Sequence, residues 1–298
     1  MTSPRHAEAT TKGRYYRHPV TGQTLVSVTN VLSSAIAKPA LVGWAAKIVA
    51  EHALDNLPTV VARSRTDRDG TLRDLKGQVR IARDKAADLG SRVHHLAEAH
   101  VLGKPVATQP GDEDARPFVV QYERFLAAFG VDLARDIIAS EMTVANPDRG
   151  YAGTLDLILT LPIGWDPAEN KTYARDAGER SEWMVDLKTS LTRPATSVYG
   201  EYALQLAGLR AAREMWLPDG TTCPMQGTSG AAILNLRPTT WELIPLPIRD
   251  AERDAFLAAV TVCQWLHDTG TDIGNGSYWP TTPAGRMKPK RTTTSKAA

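Results

Sequence analysis

The sequence predicts a mixed α/β (α+β) protein, with a mixed central sheet flanked by helices and a helical N-terminal extension. Three observations predict it. Apolar residues recur at helical spacing through most of the first 130 residues; the period shortens to that of strands after Gly130; and the order from there reads three strands, helix, two strands, helix. The 298 residues allow one large or two modest domains, with a core that needs neither disulfide nor structural metal.

RYYR at 14–17 and TLVSV at 24–28, separated by HPVTGQ, predict a short β-hairpin, and a helix starts near Thr29. Pro39 suits the first turn of a helix over 40–54, where Leu41, Trp44, Ala45, Ile48 and Val49 form one apolar face. A second amphipathic helix spans about 71–101 and a third about 112–129, the latter with a Phe118, Tyr122, Phe125, Phe129 stripe. Strands follow at 136–145, 151–161 and 182–189, the first two joined by the turn formers NPDRG. The polar stretch between 161 and 182 reads as a surface loop. A helix over 197–217, strands at 230–236 and 240–246, and a helix over 251–268 complete the pattern. Residues 1–110 thus form a helical part packing on a core at 111–270, and 271–298 reads as an extended basic tail.

Charge and cysteine content narrow the function. The chain has 35 Lys and Arg against 33 Asp and Glu, a net charge of +2, yet residues 283–298 alone carry +5 and leave the rest at −3. Residues 63–92 hold nine basic residues against five Asp. Such a helix and tail either touch nucleic-acid phosphates or are a solvated face and a disordered end. Two cysteines, Cys223 and Cys263, exclude a disulfide scaffold and any all-cysteine iron–sulfur or zinc centre. The opening lacks the apolar stretch of a signal peptide, and no run approaches the ~18 apolar residues of a membrane span, so the expectation is an intracellular protein without membrane contact. There is no phosphate-binding G-x-x-x-x-G-K-[ST] loop and no H-E-x-x-H zinc motif.

The chemistry concentrates in EWMVDLKTS. Side chains alternate along a strand, so Trp183, Val185 and Leu187 share one face and Met184, Asp186 and Lys188 the other. Charges on so apolar a strand need partners, either each other or a metal. Asp156, set between Leu155 and Leu157 in the preceding strand, poses the same problem. Two carboxylates on adjacent strands can converge on a hard cation such as Mg²⁺, and a lysine beside them can steady water and phosphate.

Asp156, then Asp186-Leu187-Lys188, then a helix carrying Tyr202 and Gln205 resembles the PD-(D/E)xK nuclease superfamily, in its RecB-like exonuclease branch of phage type. Gly90-Ser91-Arg92-Val93-His94 resembles that branch's G-[ST]-x-x-H motif, and SVTNVLSSAIAKPALVGWAAK its N-terminal region, so the similarity spans about 27 to 210 in the same order. The resemblance implies a restriction-endonuclease-like core over 111–270. It implies Mg²⁺ or Mn²⁺ bound by Asp156, Asp186, His94 and the Leu187 carbonyl, Lys188 orienting the nucleophile, and Glu141 as an additional acid. Glu141 can also be read as a solvated strand glutamate. Ser91, Arg92, Gln205 and Tyr202 are the implied substrate-binding residues; Gln205 and Tyr202, three apart on a helix, position DNA or Lys188, although Tyr202 also fits a core role.

His94 is preferred to His95 because only it has the glycine four residues before it, and Asp156 to Asp148 because Pro147-Asp148 falls in the hairpin turn. The chain cannot build the four-cysteine iron–sulfur cluster of some relatives, and Leu209 replaces a tyrosine usual four residues after the helix glutamine. The function implied is a metal-dependent exonuclease hydrolysing DNA from duplex ends in phage recombination or repair, in the cytoplasm of a bacterial host, with a single-strand annealing or recombination protein as a candidate partner. The alternatives are an endonuclease on the same core and a non-catalytic DNA-binding accessory protein.

Overall fold

A computed structural model describes residues 6–10, 13–107, 109–166, 168–176 and 178–268; the expected tail at 271–298 lies outside them. Three short strands, β1 (Ala7–Thr10), β2 (Gly13–Arg17) and β3 (Thr24–Ser27), form an antiparallel ribbon. Ser27 ends β3 and caps α1 (Val28–Ala35), its hydroxyl accepting the Asn30 N–H at 3.0 Å. Helices α2 (Pro39–Asp55), α3 (Leu57–Thr66), α4 (Arg68–Val101), α5 (Asp112–Ala128) and the single turn α6 (Leu133–Asp136) follow. Strands β4 (Ile137–Asn146) and β5 (Tyr151–Leu161) form the expected hairpin. Then come β6 (Ile163–Asp166), β7 (Lys171–Ala174), β8 (Ser181–Thr189), α7 (Gly200–Arg210), β9 (Glu214–Trp216), β10 (Thr222–Pro224), β11 (Gly230–Leu236), β12 (Trp241–Pro245) and α8 (Asp250–Asp268).

Among the described residues ten strands form one mixed sheet, and helices cover both faces. β8 pairs antiparallel with β5 and parallel with β11. On one face, Leu157, Leu159, Trp183, Val185 and Leu187 bury against Val93 and Ala97 of α4 and Phe118, Tyr122 and Phe125 of α5. On the other, Ile158, Met184 and Ile233 bury against α1, α7 and α8 through Val31, Leu206 and Phe256. The alternation read from EWMVDLKTS is therefore the division between the two cores.

Beyond the unexpected strands β1 and β10, three segments differ from the sequence expectation. The polar stretch after β5 is not all loop: β6 and β7 pair antiparallel, their turn held by Asp166 Oδ1 accepting the Ala168 N–H at 2.8 Å. The helix expected to reach 217 stops at Arg210, because Trp216 is buried against Tyr16 and pairs along β4 as strand β9. The helix expected from 71 starts at Arg68, where Asp67 caps it by accepting the Gly70 N–H at 2.8 Å, and α3 precedes it.

The N-terminal helices pack unevenly. Val93, Ala97, Ala99 and Val101 bury the end of α4, but α2 and α3 contain no buried residue and α4 none between Leu72 and Arg92. The apolar face read for α2 is only partly covered; Leu41 remains 55% exposed. No single helix among the described residues is long and apolar enough to cross a membrane, and α1 and α2 pass that test only as a pair bent by 82°.

Arg92 joins α4 to the start of α5 through an ion pair with Asp112, a residue that also accepts the Gln109 N–H at 2.9 Å. The hydrogen bond from Arg92 and that backbone N–H draw the Asp112 carboxyl down to about 2. Because the folded-state value lies below the unfolded one, this stabilisation is full above the ordinary carboxylate range and is lost as pH falls toward 2. Asp112→Asn should lower the melting temperature at pH 7, and the gap to the wild type should narrow between pH 5 and pH 3 in thermal unfolding.

Candidate metal centre

The centre begins where the sheet divides. Pairing of β5 with β8 runs from Leu161↔Ser181 to Leu157↔Val185 and ends there, while the start of β5 pairs with β3 at Tyr151 and Ala152. Leu187 would be the next residue of β8 to bond across, so its N–H and C=O face the gap without a strand partner. Side chains take both places. Asp156 Oδ2 accepts the Leu187 N–H at 2.7 Å, and His94 Nε2 lies 3.3 Å from the Leu187 carbonyl oxygen.

Both strands of the β4–β5 hairpin are irregular at this level. Leu155 packs in one core and Leu157 in the other, so strict alternation breaks at Asp156. Ala139 and Met142 of β4 pack on one side although three residues apart, and Glu141 between them has φ 47°. A left-handed backbone in a non-glycine strand residue costs about 1–3 kcal/mol, and it aims Glu141 into the gap.

Three donors meet there. His94 Nδ1 lies 3.1 Å from Glu141 Oε1 and 3.4 Å from Asp156 Oδ1, and one atom of each residue falls within 4.8 Å of the others. One nitrogen and two carboxylate oxygens, with the Leu187 carbonyl adjoining, suit a divalent cation that accepts hard ligands. The donor set therefore fits the metal expected from the sequence, and His94, Glu141 and Asp156 are the residues that would hold it; the Leu187 carbonyl, also expected as a ligand, faces the other ring nitrogen of His94.

Asp186 and Lys188 form a second group beside the first. Lys188 Nζ contacts Asp186 Oδ2 and donates to Gln205 Oε1 at 3.2 Å, while Gln205 Nε2 donates to Asp186 Oδ1 at 2.7 Å. Gln205 thus bridges the pair from α7, and the Tyr202 ring on the same helix lies 5.1 Å from the ammonium. The two strand carboxylates that the sequence directs to one cation are distributed differently here: Asp156 joins His94 and Glu141, and Asp186 is engaged by Lys188 and Gln205.

Electrostatics follow the geometry. Burial pushes the His94 pKa down, but the neighbouring Asp156 and Glu141 carboxylates outweigh it and hold the imidazole well above its ordinary range. Burial raises Asp156 too, yet His94, Lys188 and the Leu187 N–H together keep it below the usual carboxylate value. Glu141 is raised, by burial first and then by the Asp156 charge. Asp186 is raised to about 6 by burial and by Asp156, against the pull of Lys188. Burial works against the Lys188 charge, but Asp186 and Asp156 prevail and keep the ammonium protonated.

The remaining sequence candidates separate. His95 lines the neighbouring cleft and takes no part in the cluster. Asp148 sits in the hairpin turn, exposed, against Arg213. Ser91 is exposed at the cleft, and Arg92 is occupied by Asp112. Tyr122, read only as part of an apolar stripe, is fully buried close enough to Asp156 and Glu141 that burial and then their charges raise its hydroxyl. Its helical spacing carried the packing role and nothing of this proximity. No family model matches the chain, and no curated protein matches it.

Opposite shifts predict opposite responses. In the presence of chelator at pH 7, Asp156→Ala should cost about 1–3 kcal/mol, because the Leu187 N–H loses its partner. Glu141→Asn should melt no lower than the wild type, since asparagine tolerates the left-handed backbone and removes a carboxylate whose ionised form folding disfavours. Thermal and denaturant unfolding of the two variants measure both.

Proposed function

We propose that the chain is a divalent-metal-dependent deoxyribonuclease of the PD-(D/E)xK superfamily, in its RecB-like branch, with a restriction-endonuclease-like core, acting on DNA ends in phage recombination or repair. The observation that carries the reading is the convergence of His94, Glu141 and Asp156 beside a lysine fixed by Asp186 and Gln205. The order of motifs along the chain, from Gly90-Ser91-Arg92-Val93-His94 through Asp156 to Asp186-Leu187-Lys188, supports it independently.

When bound, Mg²⁺ or Mn²⁺ would lower the pKa of a coordinated water and offset charge on the phosphate. The chain's own residues do the rest. Lys188, whose ammonium form Asp186 and Asp156 favour against burial, would serve as a cation toward the scissile phosphate and the attacking water. Gln205 fixes where that ammonium points by accepting one of its N–H groups and holding Asp186 through the other end of its amide. Asp186 offsets the buried charge of Lys188 in the resting protein. Asp156, tied to the Leu187 N–H, presents one oxygen to His94 and the centre while the other is held by the sheet.

The test is digestion of linear duplex beside covalently closed circular DNA with Mg²⁺ or Mn²⁺. The expected result is loss of the linear DNA alone, with Lys188→Ala slower by about 10²–10³-fold, the usual cost of removing one preorganised charge-stabilising donor. Cutting of both forms would establish an endonuclease instead. Digestion of neither, together with no metal-induced rise in melting temperature, would leave a DNA-binding accessory protein as the better reading.

A further inference from the structure

Residues 190–199 join the end of β8 to the start of α7, and so connect Lys188 with Tyr199, Tyr202 and Gln205. The segment is mostly exposed, Leu191 by 62%, yet several of its carbonyls turn inward onto two buried side chains at the end of β11. Asn235, opposite Lys188 in the parallel ladder, donates from Nδ2 to the Ala195 carbonyl at 2.6 Å and to the Ser197 carbonyl at 2.9 Å. Arg237, just past the strand, donates from Nε to the Arg193 carbonyl at 2.6 Å and from Nη2 to that of Pro194 at 2.9 Å. Its Nη1 donates to the Leu236 carbonyl at 2.7 Å and to the Lys188 carbonyl at 3.2 Å. Burial works against the guanidinium charge, and no carboxylate pairs with it among the described residues.

A buried charge is costly, so a guanidinium that faces only carbonyls is kept for the fixed fork of its donors, which a lysine cannot reproduce. The carbonyls gathered by Arg237 and Asn235 are those of Lys188 itself and of the segment that leads away from it. The fully buried part of α7 begins at Leu206, so the path of that segment decides where its first turn, with Tyr202, sits over β8. Gln205 and the Tyr202 ring both meet the Lys188 ammonium there. Resting on the nuclease reading, we propose that Asn235 and Arg237 are positioning residues of the reaction: they hold the chain from Lys188 to Ser197 against β11, so that Gln205 and Tyr202 keep the Lys188 ammonium aimed at the scissile phosphate. Neither touches the reacting atoms; both act through Lys188, where a small displacement is enough to slow the chemistry.

Asn235→Ala and Arg237→Lys test this with three readouts. The first is the single-turnover digestion rate of saturating linear duplex with Mn²⁺, and the second is the affinity and stoichiometry of binding to the same duplex in chelator. The third is the NMR signal of the Lys188 ammonium in protein carrying isotope-labelled lysine, assigned by its loss in Lys188→Arg. Both variants should digest about 10²-fold more slowly, the cost of a misplacement of about 1 Å, with binding unchanged and the ammonium signal displaced. Asn235→Ser, which keeps one donor, should fall between Asn235→Ala and the wild type, and it decides with Asn235→Ala if Arg237→Lys does not fold. A rate loss matched by an equal loss of binding-competent protein assigns the residues to stability alone and overturns the proposal. So does the wild-type rate in the variants, and so does an unmoved ammonium signal, whether or not DNA is cut. Digestion of no DNA by the wild type, with the signal displaced in the variants, defeats the nuclease reading and leaves Asn235 and Arg237 as the residues that position Lys188.

Discussion

Where β5 parts from β8, the Leu187 amide would be left without a partner inside the sheet, and the Asp156 carboxylate takes it at 2.7 Å. A buried N–H without a partner costs about as much as a lost hydrogen bond, so the sheet can divide here only because a side chain replaces the missing strand. The division has a consequence for α4. His94 reaches the Leu187 carbonyl through the opening, while Gln205 of α7 meets Asp186 and Lys188 on its own face of the sheet.

The charges gathered in this opening are balanced closely. Two carboxylates and an imidazole form one group, and a carboxylate and an ammonium the other. His94, Lys188 and the Leu187 N–H draw Asp156 below the ordinary range against its burial, while burial and the Asp156 charge push Glu141, on the opposite strand, above it. Glu141 also carries the left-handed backbone. Strain and an unfavourable charge at one position are poor for folding alone and are consistent with a residue shaped for a cation.

Much of this was legible in the sequence. The alternation through EWMVDLKTS separates the two cores as expected, and His94 and Asp156 lie in the cluster while His95 and Asp148 lie outside it. What could not be read depends on long-range geometry. Glu141 has no neighbouring motif that announces a positive φ, and its partner His94 is 47 positions away. The pairing of Arg92 with Asp112 joins two helices across a loop, and nothing in the spacing of either helix distinguishes that arginine from its solvated neighbours. The strand β9, read as the end of a helix, was set by burial of Trp216 against Tyr16 at the far end of the chain. In that case tertiary packing overrode local helical spacing.

The central claim is that the gap between β5 and β8 is built to hold a divalent cation. Crystals soaked in Mn²⁺ and measured for anomalous scattering test it most directly. The account predicts a peak between His94, Glu141 and Asp156, absent from crystals of Asp156→Ala. A map with no peak there at millimolar Mn²⁺, or with manganese only at other carboxylates, would contradict it.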